Sequence, residues 1–198
     1  MYNSQDELLI LHNLGISGKA RRSPSIIPVI WKPPPQNWIK VNIDGAAKGA
    51  PGHSDCGGIF RNCRGFSKGC FAKYLGIKFA FEAELLGFIM AIEIAKKFNW
   101  SPLWIETDSS YVVSIFLTGS LKVPWEVRSR WSIALSDAKN LQVHVSHIFR
   151  EGNCVADKLA SMSTTPNFNK WWFNQPTLLS SLMYRDMMPM PFYRFRNL

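Results

Sequence analysis

Apolar and polar residues alternate along the first predicted strand, which runs from Trp38 to Ile43. Ile39, Val41 and Ile43 are apolar while the residues between them are polar. This period of two is typical of a strand with one apolar face. Asp44 comes next on the polar face, so the pattern predicts an acidic side chain near the strand's end.

The rest of the pattern predicts an α/β fold with the element order βββαβααβα. A glycine-containing turn leads to GGIFRN and KGCFAKYL, and three consecutive strands indicate an antiparallel meander. Long stretches without proline and with apolar residues at helical spacing predict the helices. The later elements are a helix over residues 79–98, a strand over 102–107, a helix ending near Leu117, a helix over 125–139, a strand over 141–149 and a helix that Asn153 caps.

The chain divides into three predicted regions. Five prolines between residues 20 and 36 remove amide donors and force extended backbone. We therefore predict that residues 1–36 are an N-terminal segment, with one short helix over 7–16, followed by a proline-rich linker. Residues 37–163 carry the α/β domain, and residues 164–198 form a tail rich in aromatic residues and methionine. The tail aromatics could stack on bases or pack against the domain, and packing is the favoured interpretation.

Composition limits the classes of protein to which the chain can belong. Its 198 residues are 46% hydrophobic, which is enough for one sizeable core. The net charge of +9 suits a nucleic-acid partner, but solubility explains it almost as well. The four cysteines lack the paired spacing of zinc ligands and are predicted to be reduced and structural. Since no secretory leader and no apolar run of ~18 residues is found, we expect an intracellular protein of the nucleus or cytoplasm, neither secreted nor in a membrane.

One acid of the first long helix is a candidate for chemistry. Glu82 and Glu84 lie about 200° apart on the predicted helix, so only one of them can face the sheet. Glu84 shares its side with small and uncharged residues, whereas Glu82 shares its side with charged ones. An acid on the packed face is costly unless it is paired or bound to a metal, which favours Glu84 as the functional residue. The alternative is a helix N-terminal acid that the macrodipole favours.

Three aspartates at element boundaries complete a candidate set of carboxylates with Glu84. Asp44 ends the first strand, Asp108 lies where a strand meets a helix in IETDSSYV, and Asp157 lies in the last helix. Each has a structural alternative: a strand-end aspartate before glycine, a helix N-cap and a first-turn helix acid, respectively. Several carboxylates that converge from separate elements would suit paired Mg²⁺ ions, which prefer oxygen ligands and can promote phosphodiester hydrolysis.

Five motifs occur in an order that resembles a known family. They are WIKVNIDGAAKG, GGIFRN, FEAELLGF, WIETDSSYVV and HIFREGNCVADKLA. Over about residues 31–163 the chain resembles the type 1 ribonuclease H domain, especially the form attached to reverse transcriptases of plant non-LTR retroelements. The resemblance implies a ribonuclease H-like α/β fold in which helices cover the faces of a five-stranded mixed sheet.

The resemblance also implies an activity. Members of the family are endonucleases that hydrolyse the RNA strand of RNA–DNA hybrids with two Mg²⁺ ions, for which Mn²⁺ can substitute. Asp44, Glu84, Asp108 and Asp157 match the acids that hold the metals and perform catalysis, and Asp44 would bridge both ions. The partner implied is therefore nucleic acid in the form of an RNA–DNA hybrid.

Four further positions are expected to contact the substrate. These are Gly45, Ser109, Asn153 and Arg150, although Asn153 could equally be only a helix cap. Many cellular members carry a histidine-containing loop before the last helix, whereas here FREGN joins strand to helix directly. His147 lies inside the strand, where a structural role is the better interpretation.

The missing loop leaves two other functions open. One is a retroelement-derived domain that no longer cuts and serves only to bind nucleic acid or a protein. The other is a nuclease or transposase of the same fold that cuts duplex DNA, because a fold alone does not determine the substrate.

Overall fold

The predicted elements form in the computed structural model of the protein, which describes residues 5–16, 25–162 and 165–196. The order βββαβααβα is confirmed, and further elements precede and follow it. The strands are β1 (Ser25–Val29), β2 (Ile39–Gly49), β3 (Gly52–Arg61), β4 (Ser67–Lys78), β5 (Leu103–Thr107), β6 (Val143–His147), β7 (Asn169–Trp172) and β8 (Phe192–Arg196). The helices are α1 (Gln5–Asn13), α2 (Ala80–Lys97), α3 (Ser110–Leu117), α4 (Trp125–Asn140), α5 (Cys154–Ala160) and α6 (Ser180–Met187).

The central sheet is mixed and contains six strands in the order β6-β5-β2-β3-β4-β7. Strands β2, β3 and β4 form the predicted antiparallel meander, while β5 runs parallel to both β2 and β6. Strand β7, from the predicted tail, adds a sixth strand antiparallel to β4. The predicted fold class is therefore confirmed, with one more edge strand than the five that the sequence indicates.

Strand β2 is longer than the alternation predicts, because its pairing with β3 continues to Gly49. Asp44 consequently lies in the middle of β2, and the expectation that it sits near the strand's end is wrong. The parallel pairing with β5, however, stops at Ile43 and Thr107. Asp44 is thus the first residue of β2 beyond the carboxyl end of β5. In open α/β sheets, ligands bind at the carboxyl ends of the parallel strands.

Apolar clusters lie on both faces of the central sheet. The larger cluster joins side chains of β2, β3 and β5 to α2, α3 and α4. A second cluster joins Ile59 of β3 to Leu159 of α5 and Leu179 of the tail. The polar residues of β2 are buried as well, since Lys40 is 0% exposed and Asn42 is 1% exposed. The polar face predicted for this strand is therefore an interior face.

Aromatic residues of β7 pack against the domain. Trp171 contacts Phe60 of the larger cluster and also the ring of Phe98, whereas the next residue, Trp172, packs against the second cluster. The favoured packing interpretation of the tail is thereby confirmed for these two tryptophans. Phe173 follows them and is 66% exposed.

Contacts divide the chain into two units. The larger is Val29–Phe192, and the smaller consists of Met1–Pro28 and Tyr193–Leu198. In the smaller unit α1 buries no side chain, and most of the two-stranded β1-β8 sheet belongs to it. Strand β1 lies in the segment that the prolines were expected to keep irregular, and it accommodates Pro28 because a strand with a single neighbour tolerates proline.

Some sequence predictions fall outside the described residues. These are residues 20–24 of the predicted linker and the domain boundary at Ser163. The helix predicted over residues 7–16 is observed as α1. It begins two residues earlier than predicted, at Gln5, and ends three residues earlier, at Asn13. Among the helices that the structure describes, none has both the length and the apolar character needed to cross a bilayer.

Candidate active site

Three of the four predicted acids converge at one end of the central sheet. Asp44 comes from β2, Glu84 from α2, and Asp108 from the residue directly after β5. One carboxylate oxygen from each lies within 4.8 Å of the others. Carboxylates from three separate elements thus share one small volume.

The backbone explains why these acids meet. The parallel pair Ile43 and Thr107 places the residues that follow them, Asp44 and Asp108, side by side where the pairing of β2 with β5 stops. Gly45 then lets helix α2 approach, because a Cβ atom at this position would overlap the backbone nitrogen of Glu84. A glycine after the aspartate is therefore what allows the helix glutamate to reach the strand carboxylate.

Burial and mutual repulsion perturb this group. Asp44 is only 6% exposed, and burial, followed by the charges of Asp108 and Asp157, raises the pKa of Asp44 from 3.8 to about 7. Burial, followed by the charges of Asp44 and Asp108, raises the pKa of Glu84 from 4.5 to about 9. The Thr107 hydroxyl donates a hydrogen bond of 3.5 Å to Glu84 and opposes this shift. Carboxyl groups perturbed in this way by burial and by one another are typical of functional sites.

The helix N-terminal alternative for Glu84 does not describe the structure. The acid in the first turn of α2 is Glu82, whose carboxylate accepts a hydrogen bond of 2.9 Å from the Phe79 amide. Glu84 lies two residues further on, beyond the first turn, and its pKa is raised, whereas the macrodipole would lower it. Glu82, which the sequence placed on a solvated face, therefore caps the helix.

The N-cap alternative for Asp108 is also wrong, because Ser109 caps helix α3. The Ser109 hydroxyl accepts a hydrogen bond of 3.4 Å from the Val112 amide, and the Ser109 amide donates to the Thr107 hydroxyl. The Asp108 carboxylate instead accepts a hydrogen bond of 3.3 Å from the Asn153 side-chain amide. Asp108 is thus free of the capping role and faces the acid group.

Asp157 stands apart from the group of three. Its carboxylate accepts a hydrogen bond of 2.9 Å from Arg150, and the side chains are 41% and 75% exposed, respectively. This hydrogen bond raises the pKa of the Arg150 guanidinium. Asp157 still lies close enough for its charge to raise the pKa of Asp44. It occupies the first turn of α5, so its first-turn alternative stays open.

Asn153 is not the side-chain cap that the sequence predicted. Its side chain makes no capping hydrogen bond and is 1% exposed. The amide nitrogen donates to the Ile43 carbonyl at 2.9 Å and to Asp108 at 3.3 Å, while its oxygen accepts from Asn42 at 3.2 Å. Asn153 therefore ties α5 to β2 and to the carboxylate group at once.

Sequence reasoning missed a buried polar cluster beneath the site. Its members are Trp31, Lys40, Asn42, Arg61, Glu106 and Asp186, all of which are 6% exposed or less. The alternation along β2 marked Lys40 and Asn42 as polar but not as buried, and no local signal identified the others. His147 is a further neighbour, since its Nε2 atom lies 3.2 Å from the Asp108 carbonyl oxygen and its side chain is exposed.

The residues present fit a divalent cation. Carboxylate oxygens are the donors that Mg²⁺ and Mn²⁺ prefer. Asp44, Glu84 and Asp108 each offer such an oxygen within the same small volume. Burial, followed by the neighbouring acids, raises the pKa of Asp44 and of Glu84, and a bound cation would favour the charged forms of both. No other cluster of three such ligands occurs in the described part of the chain.

Known proteins resemble the chain in sequence and in structure. The family profile described as "Reverse transcriptase-like" matches residues 42–163. An Arabidopsis thaliana protein named "Putative ribonuclease H protein" is 32% identical over 158 residues, which are 79% of this chain and 25% of that protein. The chain thus spans about a quarter of the length of this curated relative.

Solved structures share the fold at low sequence identity. RNase H1 of the halophilic archaeon Halobacterium salinarum is 22% identical with a TM-score of 0.55, over 62% of this chain and 94% of the archaeal one. LC11-RNase H1, isolated from compost by a metagenomic approach, was solved in complex with an RNA/DNA hybrid. That structure is 21% identical with a TM-score of 0.57, over 63% of this chain and 95% of the other.

Proposed function

Because the chain belongs to the reverse transcriptase-like family, we propose that it is a metal-dependent endonuclease for the RNA strand of RNA–DNA hybrids. The ribonuclease H fold agrees with this reaction. The observation that carries the proposal is the convergence of Asp44, Glu84 and Asp108 within 4.8 Å. A fold alone would leave the function open, whereas a carboxylate group of this kind supports a reaction class.

Each acid has a role in the proposed reaction. Asp44, Glu84 and Asp108 would hold the Mg²⁺ ions through their carboxylate oxygens. When bound, paired divalent ions supply an activated water and stabilise the leaving oxygen of the phosphodiester. Asp157, at the exposed edge, would complete the ligand set after it exchanges its hydrogen bond with Arg150. Thr107 and Asn153 orient Glu84 and Asp108.

Substrate contacts are proposed at the rim of the site. Arg150 is 75% exposed next to the acid group, so its guanidinium can pair with a backbone phosphate. Ser109 is half-buried beside Asp108 and can offer a hydroxyl to the sugar edge of the substrate. Gly45 and Asn153 act mainly through packing and orientation, since one admits α2 and the other is buried. LC11-RNase H1, which shares the fold, binds an RNA/DNA hybrid and supports this choice of substrate.

A second function, binding without cleavage, is favoured by one observation. The Asp157 carboxylate is engaged by Arg150 at 2.9 Å and does not belong to the group of three. If that pairing persists with substrate bound, the chain would hold a hybrid and cut it slowly or not at all. Binding in Ca²⁺ without cleavage in Mg²⁺ would then be observed.

The test is cleavage of an end-labelled RNA annealed to DNA by the full chain, with Mg²⁺, Mn²⁺ or EDTA. Asp44→Asn is the inactive variant. Asp137→Asn is the matched control, because Asp137 pairs with Lys96 at 2.7 Å and takes no part in the acid group. We expect metal-dependent cleavage by the wild type and by Asp137→Asn, and none by Asp44→Asn.

Two outcomes would contradict the proposal. If wild type and Asp44→Asn are equally inactive in Mg²⁺ and in Mn²⁺, the proposed nuclease activity is refuted and the binding function is the one that is left. Cleavage of duplex DNA in place of the hybrid would keep the acid group and change the substrate, so duplex DNA and duplex RNA are included as parallel substrates.

A further inference from the structure

The C-terminal helix α6 supplies a buried acid to the interior of the domain. Asp186 is 5% exposed and accepts a hydrogen bond of 2.6 Å from Nη1 of Arg61 on β3. Arg61 itself is 1% exposed. Asp186 lies outside the segment that matches the family, which ends at residue 163. A residue beyond the matched segment thus balances a charge inside it.

The other terminal nitrogen of Arg61, Nη2, contacts strand β2. Nη2 donates to the Asn42 side-chain oxygen at 2.7 Å, and the guanidinium lies over the Trp31 ring, 3.6 Å from its centroid. Nε1 of Trp31 donates to the same Asn42 oxygen at 2.8 Å. Two donors therefore fix the orientation of the Asn42 amide, since its oxygen must face Arg61 and Trp31.

The fixed amide of Asn42 in turn orients Asn153. Nδ2 of Asn42 donates to Glu106 at 2.9 Å and to the Asn153 oxygen at 3.2 Å. With its oxygen engaged, Asn153 must present its nitrogen to the Ile43 carbonyl and to Asp108, at 2.9 Å and 3.3 Å. A rotation of this amide by 180° would place its oxygen against the Asp108 carboxylate.

The cluster is neutral as a whole. Lys40 pairs with Glu106 at 2.8 Å, and Arg61 pairs with Asp186 at 2.6 Å. Loss of Asp186 would leave the Arg61 cation unpaired in the interior, a state that buried charges do not sustain without rearrangement. The nearest acceptors are then the Asn42 oxygen and Glu106, and movement toward either would disturb Asn42.

We infer that helix α6 is a positioning element of the carboxylate site, through the chain Asp186–Arg61–Asn42–Asn153–Asp108. The inference rests on the proposed function in treating the carboxylate group as a catalytic metal site, whereas the contacts from Asp186 to Asp108 are independent of that function. Asp186 and Arg61 are positioning residues, because they act on Asp108 through two asparagines and touch no reacting atom. Loss of a direct hydrogen-bond partner of a metal ligand typically changes metal affinity or activity by about 10- to 100-fold. Asn153 is such a partner of Asp108, so a change at Asp186 or Arg61 that acts through Asn153 is expected to have a smaller effect.

The experiment compares variants of the full chain. Asp186→Asn removes the charge, and the pair Arg61→Met with Asp186→Leu removes the link while it keeps the interior free of unpaired charge. Leu179→Ala is the matched control. Leu179 belongs to the same tail and is fully buried among apolar side chains, and its own side chain has no polar group that could contact Asp186, Arg61 or the two asparagines. The readouts are the ¹⁵N side-chain amide resonances of Asn42 and Asn153, Mn²⁺ affinity by calorimetry, and hybrid cleavage.

We expect both charge-removing variants to shift the Asn153 amide resonances, to weaken Mn²⁺ binding by up to about 10-fold, and to lower kcat more than they raise KM. Leu179→Ala should lower the melting temperature and leave these three quantities near wild type. Equal effects of Leu179→Ala and Asp186→Asn, or unchanged Asn153 resonances in the double variant, would overturn the inference. If wild type binds Mn²⁺ but does not cleave the hybrid, the proposed nuclease function fails. The amide resonances and the Mn²⁺ affinities still test whether α6 positions the carboxylate site.

Discussion

Replacement of Asp44 by asparagine should stabilise the metal-free protein while it abolishes the effect of metal. The substitution keeps the shape of the side chain and removes one charge from a group whose oxygens lie within 4.8 Å of one another. Asp44 is 6% exposed, so solvent screens its repulsion with Asp108 only weakly. Functional acids of this kind often lower the stability of the protein that carries them.

The magnitude follows from the separation. Two unit charges 4.8 Å apart interact by about 3.5 kcal/mol at an effective dielectric constant of 20. At pH 8.5 Glu84, whose pKa is about 9, still holds its proton in most molecules, so the Asp44–Asp108 repulsion dominates. After allowance for the partial exposure of Asp108, we expect a gain of about 1 to 3 kcal/mol in the free energy of unfolding. For a chain of this length that corresponds to a rise of roughly 2 to 12 °C in the melting temperature.

The sign of the pH dependence provides a second check. The pKa of Asp44 in the folded state is raised from 3.8 to about 7, so its stabilising proton is fully present only below the unfolded value. Stability is then lost as the pH rises through 7, because the unfolded chain releases this proton more readily. The advantage of Asp44→Asn over wild type should therefore grow between about pH 5 and pH 8.5.

The assay is thermal unfolding of wild type and Asp44→Asn in EDTA and in Mg²⁺, at pH 5.5, 7 and 8.5. Asp137→Asn is the control, since it breaks an ion pair with Lys96 and should be neutral or slightly destabilising. A lower melting temperature for Asp44→Asn in EDTA at pH 8.5, or a Mg²⁺-induced rise equal to that of wild type, would refute the reasoning.

Three further predictions concern the same region. Gly57→Ala should destabilise the fold by roughly 1 to 3 kcal/mol in urea unfolding. The added Cβ would lie 2.5 Å from the amide nitrogen of Ala160, the last residue of helix α5, which packs on β3. An unchanged free energy of unfolding would contradict this close approach. Mg²⁺ affinity by calorimetry should increase from pH 6 to pH 9, as Asp44 and Glu84 must lose their protons to bind it, and a pH-independent affinity would exclude them as ligands. Arg150→Ala should change stability by less than ~1 kcal/mol, yet reduce the salt-dependence slope of hybrid binding by about 0.9, and an unchanged slope would argue against a phosphate contact.

Local periodicity marked two acids of the candidate site, whereas Asp108 was identified from the order of the motifs and from the family resemblance. Alternation along β2 marked Asp44 as polar, and the two faces of α2 separated Glu84 from Glu82 before any contact was known. Asn153 is the N-cap residue of α5, as predicted, but its side chain makes no capping bond and has buried contacts on three sides instead. A cap and a buried bridge both place asparagine before a helix, so a single sequence cannot distinguish them.

Contacts between distant segments were beyond the reach of sequence patterns. Arg61 and Asp186 are 125 residues apart, and only Arg61 lies in one of the five motifs, GGIFRN. The tail strand β7 was missed because four residues are too short for a convincing alternation. A signal was nevertheless present, since Trp171 and Trp172 are adjacent large aromatics that a strand would send to opposite faces, as the structure does.

The balance of charges around β2 favours a cation from outside the protein at the acid group. Three cations in this region are already paired with other acids. The pairs are Lys40 with Glu106 at 2.8 Å, Arg61 with Asp186 at 2.6 Å, and Arg150 with Asp157 at 2.9 Å. Arg150 does act on Asp44, but its effect is smaller than that of burial and of the neighbouring acids, so the pKa of Asp44 stays raised. Since each of these three cations has an acid of its own, a divalent ion bound at Asp44, Glu84 and Asp108 would supply the charge that neutralises them.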